Sequence, residues 1–488
     1  MRIESQMDRC LWRWFNVSRI RLFLSDRLGW PEYLKPFMEK PLPDNLNWTV
    51  TLGSVLVLLF VIEVATGMLL AMYYNPSPDF AYKAVDYIME QVFMGRILRG
   101  IHHWGASAMV IIVFTHLIAC FFYGAFKPPR EITWMIGVCL FLLTLGFGFT
   151  GYLLPWDQKA YWATVVGTNI PRDIPVIGQF ITKLLLGGET VSGLTLTRFY
   201  AIHTLILPAL TAMCIGIHIY LVRIHGISEH DSGHSENIKT DEPSGSYRFF
   251  PEHLSKASIA FTIVFSIILM LSLFAEIPRE EVAGTIDPDY LPRPEWYYMW
   301  LFQLLTFFSG KSELIGSLII PAGGVALLFC LPLFSRSPSR SPWDRPVAIA
   351  ISVACLTGIV YLSIIGISNS KPYGEIIRVP DRKMTSSERS GLQIFADREC
   401  AYCHHILGVG GRRQGPDLSN VVKKSRTREW LMDFIKDPQV VSPWSIMPKY
   451  NLDKNELSQL ADFMRSLDFK HHGVKTLTRK ELGNSSKK

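Results

Sequence analysis

The sequence predicts an all-α membrane protein of seven transmembrane helices, the first four forming a bundle, followed by a small α-helical domain. Three observations predict it. Seven apolar runs are each long enough to cross a bilayer, which takes about 20 residues of helix. Histidines recur in or just before two of those runs at spacings of 14 and 15 residues. A Cys-x-x-Cys-His stretch follows the last run.

Overall hydrophobicity does not decide the class, because 49% apolar residues would also suit a soluble enzyme of this length, so their distribution carries the argument. The runs fall at 50–74, 104–123, 133–154, 202–222, 259–275, 314–334 and 347–365. Residues 1–48 are too charged for the apolar core of a signal peptide. Trp12, Trp14, Phe15, Ile20, Leu22, Phe23 and Leu28 lie among arginines there, as in an interfacial amphipathic segment. Lys127, Arg130, Arg336, Arg340 and Arg345 fall in loops on one side of the membrane. Residues 277–313, on the other, hold six acids and three bases. The positive-inside rule then puts the N-terminus in the cytoplasm and everything after the seventh run outside.

The net charge of +7 does not imply nucleic acid, since 470–488 supplies six Lys/Arg against one Glu and reads as a solvated tail. Cys10 stands alone, and Cys120, Cys139, Cys214, Cys330 and Cys355 lie in apolar runs as small hydrophobes. Only Cys400 and Cys403 form a spaced pair.

In a regular helix His102 and His116 differ by roughly 40° and climb about 21 Å, so they share a face, one toward each side of the membrane. His103, turned by roughly 140° from His116, points elsewhere. His203 and His218, 15 apart, repeat the device at about 60° off one line. A lone membrane histidine is more often a packing or gating residue. Two matched pairs on neighbouring helices can instead place His102 opposite His203 and His116 opposite His218, the axial ligand set of low-spin b-type haem. Gly53 and Gly67, and likewise Gly137 and Gly151, are 14 apart and give a flat macrocycle room at both depths. Arg99 and Arg223, at opposite faces, are candidates for haem propionates or simply snorkelling arginines.

The stretches "RGIHHWGASAMVIIVFTH", "GFGFTGYLLPWDQKAYW", "LTRFYAIHTLILPALTAMCIGIHIYLVRIHGIS" and "PRPEWYYMWLFQLL" give 45–365 a resemblance to the cytochrome b of the cytochrome bc and b6f complexes. The 15-residue second pair and the seven-run count make it similar to the b6f type. There the four-helix and three-helix parts are usually separate chains; here 226–256 joins them.

Glu295 lies among Trp296, Tyr297, Tyr298, Met299 and Trp300 on the outer side. An acid in an apolar setting suits proton exchange near neutral pH, because burial disfavours its charged form. By composition alone an aromatic interfacial belt fits as well. The resemblance implies that Pro294, Glu295, Trp296 and Tyr297 line a quinol-oxidation site, with Glu295 and Tyr297 the catalytic candidates and Glu295 taking a quinol proton. In b6f-type relatives a cysteine tethers an extra haem. Aligning on Val64–Gly67 puts Thr51 there, so no third membrane haem is expected.

After a polar linker, Cys400-Ala401-Tyr402-Cys403-His404 reads as covalent c-type haem attachment, with His404 beneath the iron. Met447 in "SPWSIMPKY" is the candidate sixth ligand, a pair that raises the potential. With "GPDL" (415–418) and an amphipathic last helix, 385–469 resembles the small class I cytochromes c. His405, His225, His230 and His234 read as solvated loop histidines. Covalent haem attachment takes place outside the cytoplasm, where the helix count independently puts this domain.

The expected organisation is therefore 1–48 interfacial; 49–225 the four-helix di-haem part; 226–257 a connecting loop; 258–366 the three-helix part; 367–384 a linker; 385–470 the cytochrome c domain; and 471–488 a basic tail. The resemblance implies the fused cytochrome b/c subunit of a quinol:cytochrome c oxidoreductase in a bacterial-type inner membrane, with the c domain periplasmic. Implied cofactors are two non-covalent haems b and one covalent haem c. Implied partners are the quinone pool, a separate Rieske iron–sulfur subunit, other redox subunits, a downstream cytochrome or oxidase, and a second copy in a homodimer. Two rivals stand beside it. A non-catalytic haem anchor would not need the Pro-Glu-Trp-Tyr loop or the tethered cytochrome, and a proton-relaying transporter would carry no haem.

Overall fold

The computed structural model describes residues 47–171, 174–188, 190–228, 248–283, 293–308, 314–335, 339–368, 376–398, 400–407, 415–419, 426–442, 449–467 and 473–478, with a few single positions besides. The interfacial residues Trp12 to Leu28 named above, Cys10, His230 and His234 lie outside them.

Seven helices are long and apolar enough to span a membrane: Trp48–Ala71, Gly95–Phe122, Glu131–Tyr152, Gly193–His225, Phe249–Phe274, Ile315–Phe334 and Pro346–Ser368. In lipid a helix is the element that satisfies its own backbone. The second and fourth begin about a dozen residues or less before the apolar runs do, so Arg99, His102 and His103 are helical rather than loop residues. The first span packs on the second, the third on the fourth, and the fifth on the second. Small residues permit these approaches. A Cβ on Gly100 would lie 2.8 Å from that of Ser272, where second and fifth spans cross. Trp134 donates its indole N–H to Leu328 O at 2.7 Å, tying the third span to the sixth.

The fourth span is continuous but not uniformly α-helical. Ile202–Ile206 forms a π turn, placed just before Pro208. Proline has no N–H to continue the ladder, and a wider turn absorbs the gap. The turn also takes in one extra residue, so His203 and His218, 15 apart, are brought toward the alignment that a 14-residue spacing gives elsewhere. The 60° offset expected for a regular helix is corrected accordingly.

Three helices cover the same end of the bundle: the amphipathic Ala81–Glu90 between the first two spans, then Gln158–Asn169, which buries Gln158, Thr164 and Thr168, and the amphipathic Gly178–Leu186 between the third and fourth. Ala81, Leu153, Trp156, Leu186, Leu196 and Phe199 pack beneath them. At the opposite end, two arginines assigned to loops from charge bias have a structural task. Arg130 donates to the carbonyls of His225, Gly226 and Ile227 at 3.1–3.2 Å, and Arg345 to those of Phe121 and Phe122 at 3.1 and 2.7 Å. Cations there satisfy orphan carbonyls and the negative pole of the helix.

The C-terminal unit packs the helices Ser386–Asp397, Arg428–Lys436 and Lys454–Ser466 around Leu392, Phe395, Leu431, Ile435, Leu460 and Phe463. Capping boxes at Thr385/Glu388 and Asp453/Glu456 start the first and last of these. The linker and tail need correcting. Ile376–Pro380 (β1) and Val474–Thr478 (β2) pair antiparallel, Ile376 with Thr478 and Pro380 with Val474. Alternating β-branched residues bury Ile377 and Val379 on one face, which outweighs the polar composition around them.

Candidate functional site

At the end of the bundle that carries Glu295, the rings of His102 and His203 face each other with centroids 6.3 Å apart and planes at 78°. Two metal–imidazole bonds of about 2 Å and two ring radii span roughly that distance, so the rings could grip one iron. Each Nδ1 is already engaged. Thr66 Oγ1 lies 3.0 Å from His102 Nδ1 and Thr150 Oγ1 lies 3.1 Å from His203 Nδ1. Each threonine hydroxyl donates to its own helix, to Ile62 O and Gly146 O at 2.8 Å, and so accepts from the imidazole. That fixes the tautomer and leaves Nε2 for a metal.

The glycines reveal a pairing that spacing alone did not. A Cβ on Gly67 would stand 3.3 Å from His102, on Gly151 2.5 Å from His203, on Gly53 3.6 Å from His116 and on Gly137 3.4 Å from His218. Each glycine therefore backs one histidine. Four cradles at two depths, tight at Gly67 and Gly151 and at ordinary contact distance at Gly53 and Gly137, fit two bis-imidazole haems. At the far end Cys120 Sγ approaches His116 to within 3.8 Å, while His218 Nδ1 is buried with no partner among the described residues. His103 turns away as expected and meets the Trp104 ring edge-on at 4.8 Å.

Arg99 reaches Met89 Sδ and Pro278 O at 3.5 Å, the outer limit of hydrogen bonding. Arg223 lies over the Phe249 ring at 4.4 Å.

Glu295 sits at the entry to the turn Trp296–Tyr298, and its Oε1 accepts an ion pair from Lys159 Nζ at 3.1 Å. Trp296 and Tyr297 stack edge-to-face at 5.3 Å, and a Cβ on Gly148 would come 2.6 Å from the Tyr297 hydroxyl. Tyr298 donates to Leu145 O at 2.6 Å. The loop thus docks on the third span, one turn from the Gly151 cradle. Burial, with Tyr298 and Glu295 adding to it, pushes the Tyr297 phenol above its ordinary range, so it stays protonated. Asp157 caps Gln158–Asn169 by accepting from Ala160 N at 2.8 Å, and burial raises its carboxyl above the usual carboxylate range.

In the C-terminal unit His404 Nδ1 donates to Pro416 O at 2.9 Å, which leaves Nε2 as the ring's metal-binding nitrogen. A Cβ on Gly415 would collide with the His404 ring, another cradle that fits a haem ligand. Burial holds His404 below its ordinary value, in the neutral form that binds metal, and pushes the Cys400 thiol up to about 12. Cys400 and Met447 border the same core, and Met447 is fixed by Ser445 Oγ and Gln439 Nε2.

Sequence reasoning missed Glu63, Thr66, Thr150, Asp157 and Lys159. Two signals were available: Glu63 is the only charged residue of the first span, and the dipeptide Thr-Gly recurs at 66–67 and 150–151.

Residues 37–226 match the family model described as cytochrome b/b6/petB, and 290–379 that of cytochrome b(C-terminal)/b6/petD. Residues 396–475 match cytochrome C oxidase, mono-heme subunit/FixO. A cytochrome bc complex cytochrome b subunit from Chlorobaculum thiosulfatiphilum is 35% identical over 349 residues, which cover 70% of this chain and 77% of that protein. Cytochrome b of Rickettsia conorii is 35% identical over 64% of this chain and 78% of its own length. Cytochrome b6 of Synechococcus sp. (strain JA-3-3Ab) is 42% identical over 43% of this chain and 99% of its own. Among solved structures, a chain of a hyperthermophilic respiratory Complex III superposes with a TM-score of 0.64 and 28% identity, over 71% of this chain and 90% of that one.

Proposed function

The chain belongs to the cytochrome b family of cytochrome bc complexes and carries a C-terminal mono-haem cytochrome c domain, and from that premise we propose that it is the fused b/c subunit of a quinol:cytochrome c oxidoreductase. It is a multi-pass membrane protein, and its relatives imply other redox subunits and quinone. The single observation that carries the finer reading is the set of four glycine-backed histidines at two depths, one pair lying beside the Glu295 loop.

When bound, two b haems and one c haem supply three one-electron centres, two across the bilayer and one beyond it. The chain's own residues do the rest. His102 with His203, and His116 with His218, would hold the two b haems, and Thr66 and Thr150 keep the first pair in the tautomer that leaves Nε2 for iron. Gly53, Gly67, Gly137 and Gly151 keep the ring edges clear, and Arg99 and Arg223 are the propionate partners at opposite faces. Cys400 and Cys403 would attach the c haem covalently, and His404 and Met447 would hold its iron.

Quinol docks against Pro294, Glu295, Trp296 and Tyr297. Glu295 accepts a proton from the quinol hydroxyl, and its ion pair with Lys159 holds the carboxyl group in place until then. Tyr297, protonated, can donate a hydrogen bond to the quinone oxygen. Tyr298 ties the loop to the third span through Leu145 O. The Glu295 end is proposed to face outward, with the N-terminus cytoplasmic, a separate Rieske subunit taking one electron, and the complex dimeric. With the haems bound, one electron per quinol would cross the bilayer to the His116 end and reduce a quinone there, and proton release outside with uptake inside would store the energy. Thr51 at the tether position, its hydroxyl engaged by Trp48 O at 2.8 Å, supports a membrane part without a third haem.

Replacing Glu295 with Gln is expected to lower quinol oxidation by 10²-fold or more, the usual order for losing a positioned base. The haem spectra should stay as they are. Steady-state reduction of cytochrome c by quinol, measured on the purified complex, checks this, and undiminished turnover would remove Glu295 from the mechanism.

A further inference from the structure

A lone carboxyl inside a lipid-embedded bundle needs a reason. Glu63 is the one charged residue of the first span, and its Oε2 stands 3.0 Å from His102 Nδ1. Its Oε1 is buried with no hydrogen-bond partner among the described residues. The second span makes room for it: any Cβ at Gly105 would run into that oxygen. The carboxyl is thus held against one imidazole by a built recess.

The partner helix provides an internal comparison. Thr66 and Thr150 make equivalent contacts to His102 and His203, and three residues before each stand Glu63 and Phe147. Phe147 offers His203 its backbone acceptor and a ring edge at 5.5 Å, where Glu63 adds a side-chain carboxyl to His102. The far pair has no equivalent among the described residues: His116 meets the Cys120 sulfur, and His218 Nδ1 is unpartnered. Of the four imidazoles, His102 alone faces a carboxyl.

We infer that Glu63 is a positioning residue that accepts the Nδ1–H of His102 and thereby lowers the reduction potential of the haem at the Glu295 end relative to the other. With iron on Nε2, the only ring proton is on Nδ1, and Thr66 and Glu63 both accept from it. A carboxyl acceptor makes the imidazole a stronger donor to iron, which favours the oxidised metal. With the haems bound, that asymmetry would favour passage of one electron from the Glu295 end to the His116 end. The inference rests on the reading of His102 as a haem ligand.

The test is a potentiometric titration of the b haems in the purified complex carrying Glu63→Gln or Glu63→Leu. In both, one b component should become easier to reduce while the other stays put. The shift with Leu should reach tenfold or more in the reduction equilibrium, about 59 mV for a one-electron couple, and Gln should give a smaller shift in the same direction. The component that survives His116→Asn identifies the Glu295-end haem, and that is the one expected to move. Two b components titrating as in the parent protein, or both moving together, would overturn the inference. So would loss of that haem from both variants, because Glu63 would then serve assembly rather than potential. A parent complex with no b-type components would instead sink the ligand reading itself.

Discussion

Gly151 and Gly53 do the same job with different clearances. A Cβ at Gly151 would come 2.5 Å from the His203 ring, whereas one at Gly53 would stand 3.6 Å from His116, an ordinary contact. Gly151→Ala is therefore expected to displace His203 and lose the haem at the Glu295 end, while Gly53→Ala keeps both. The amplitude of the b α-band per polypeptide reads the difference, and equal retention by the two variants would show that the cradles do not hold the ligands. The four histidines and four glycines were legible because helical periodicity turns spacing into a shared face. Their one-to-one pairing was not, because it depends on which helices are neighbours. Glu63 and Lys159 went unread for the same reason: His102 and Glu295, which give them meaning, are 39 and 136 residues away in the chain.

Among the elements, the fourth span carries the feature that periodicity could not supply. Its π turn at Ile202–Ile206 holds His203 itself and precedes Pro208. Pro208→Ala restores an N–H and lets an α-helical ladder compete with the wider turn. Closing it would swing His203 by about 100° relative to His218, the rotation of one residue. The expected outcome is a weakened or split α-band from the Glu295-end haem with the other unchanged; an unaltered spectrum would mean that packing alone holds the turn. The spans themselves were legible from apolar length. Shorter elements were not: the three helices over one end went unread within the four-helix part, and β1 and β2 lay in stretches read as linker and tail. The strands exist because two short β-branched segments, about 100 residues apart, find each other over the core of the cytochrome c domain.

For the molecule as a whole, pH separates the two parts. Arg382 holds Glu388, and Arg428 holds Asp462, below their ordinary values of 4.5 and 3.8. Groups depressed in the folded state stabilise it above those values, and that stability is lost as pH falls through them. The thermal midpoint for loss of the c-haem spectrum should hold steady from about pH 7 to about 5 and decline below about 4.5. Arg428→Gln should flatten the decline, and a midpoint insensitive to acid would contradict the assignment. The central claim is that four imidazoles hold two extractable haems in the membrane and two cysteines hold one covalently outside it. Pyridine-haemochrome counting before and after acid–acetone extraction tests it most directly. The account predicts three haems per chain, two of them extractable, and one extractable haem fewer when His102 or His203 is replaced by Ala. No extractable haem, a second covalent one, or a count indifferent to those replacements would contradict it.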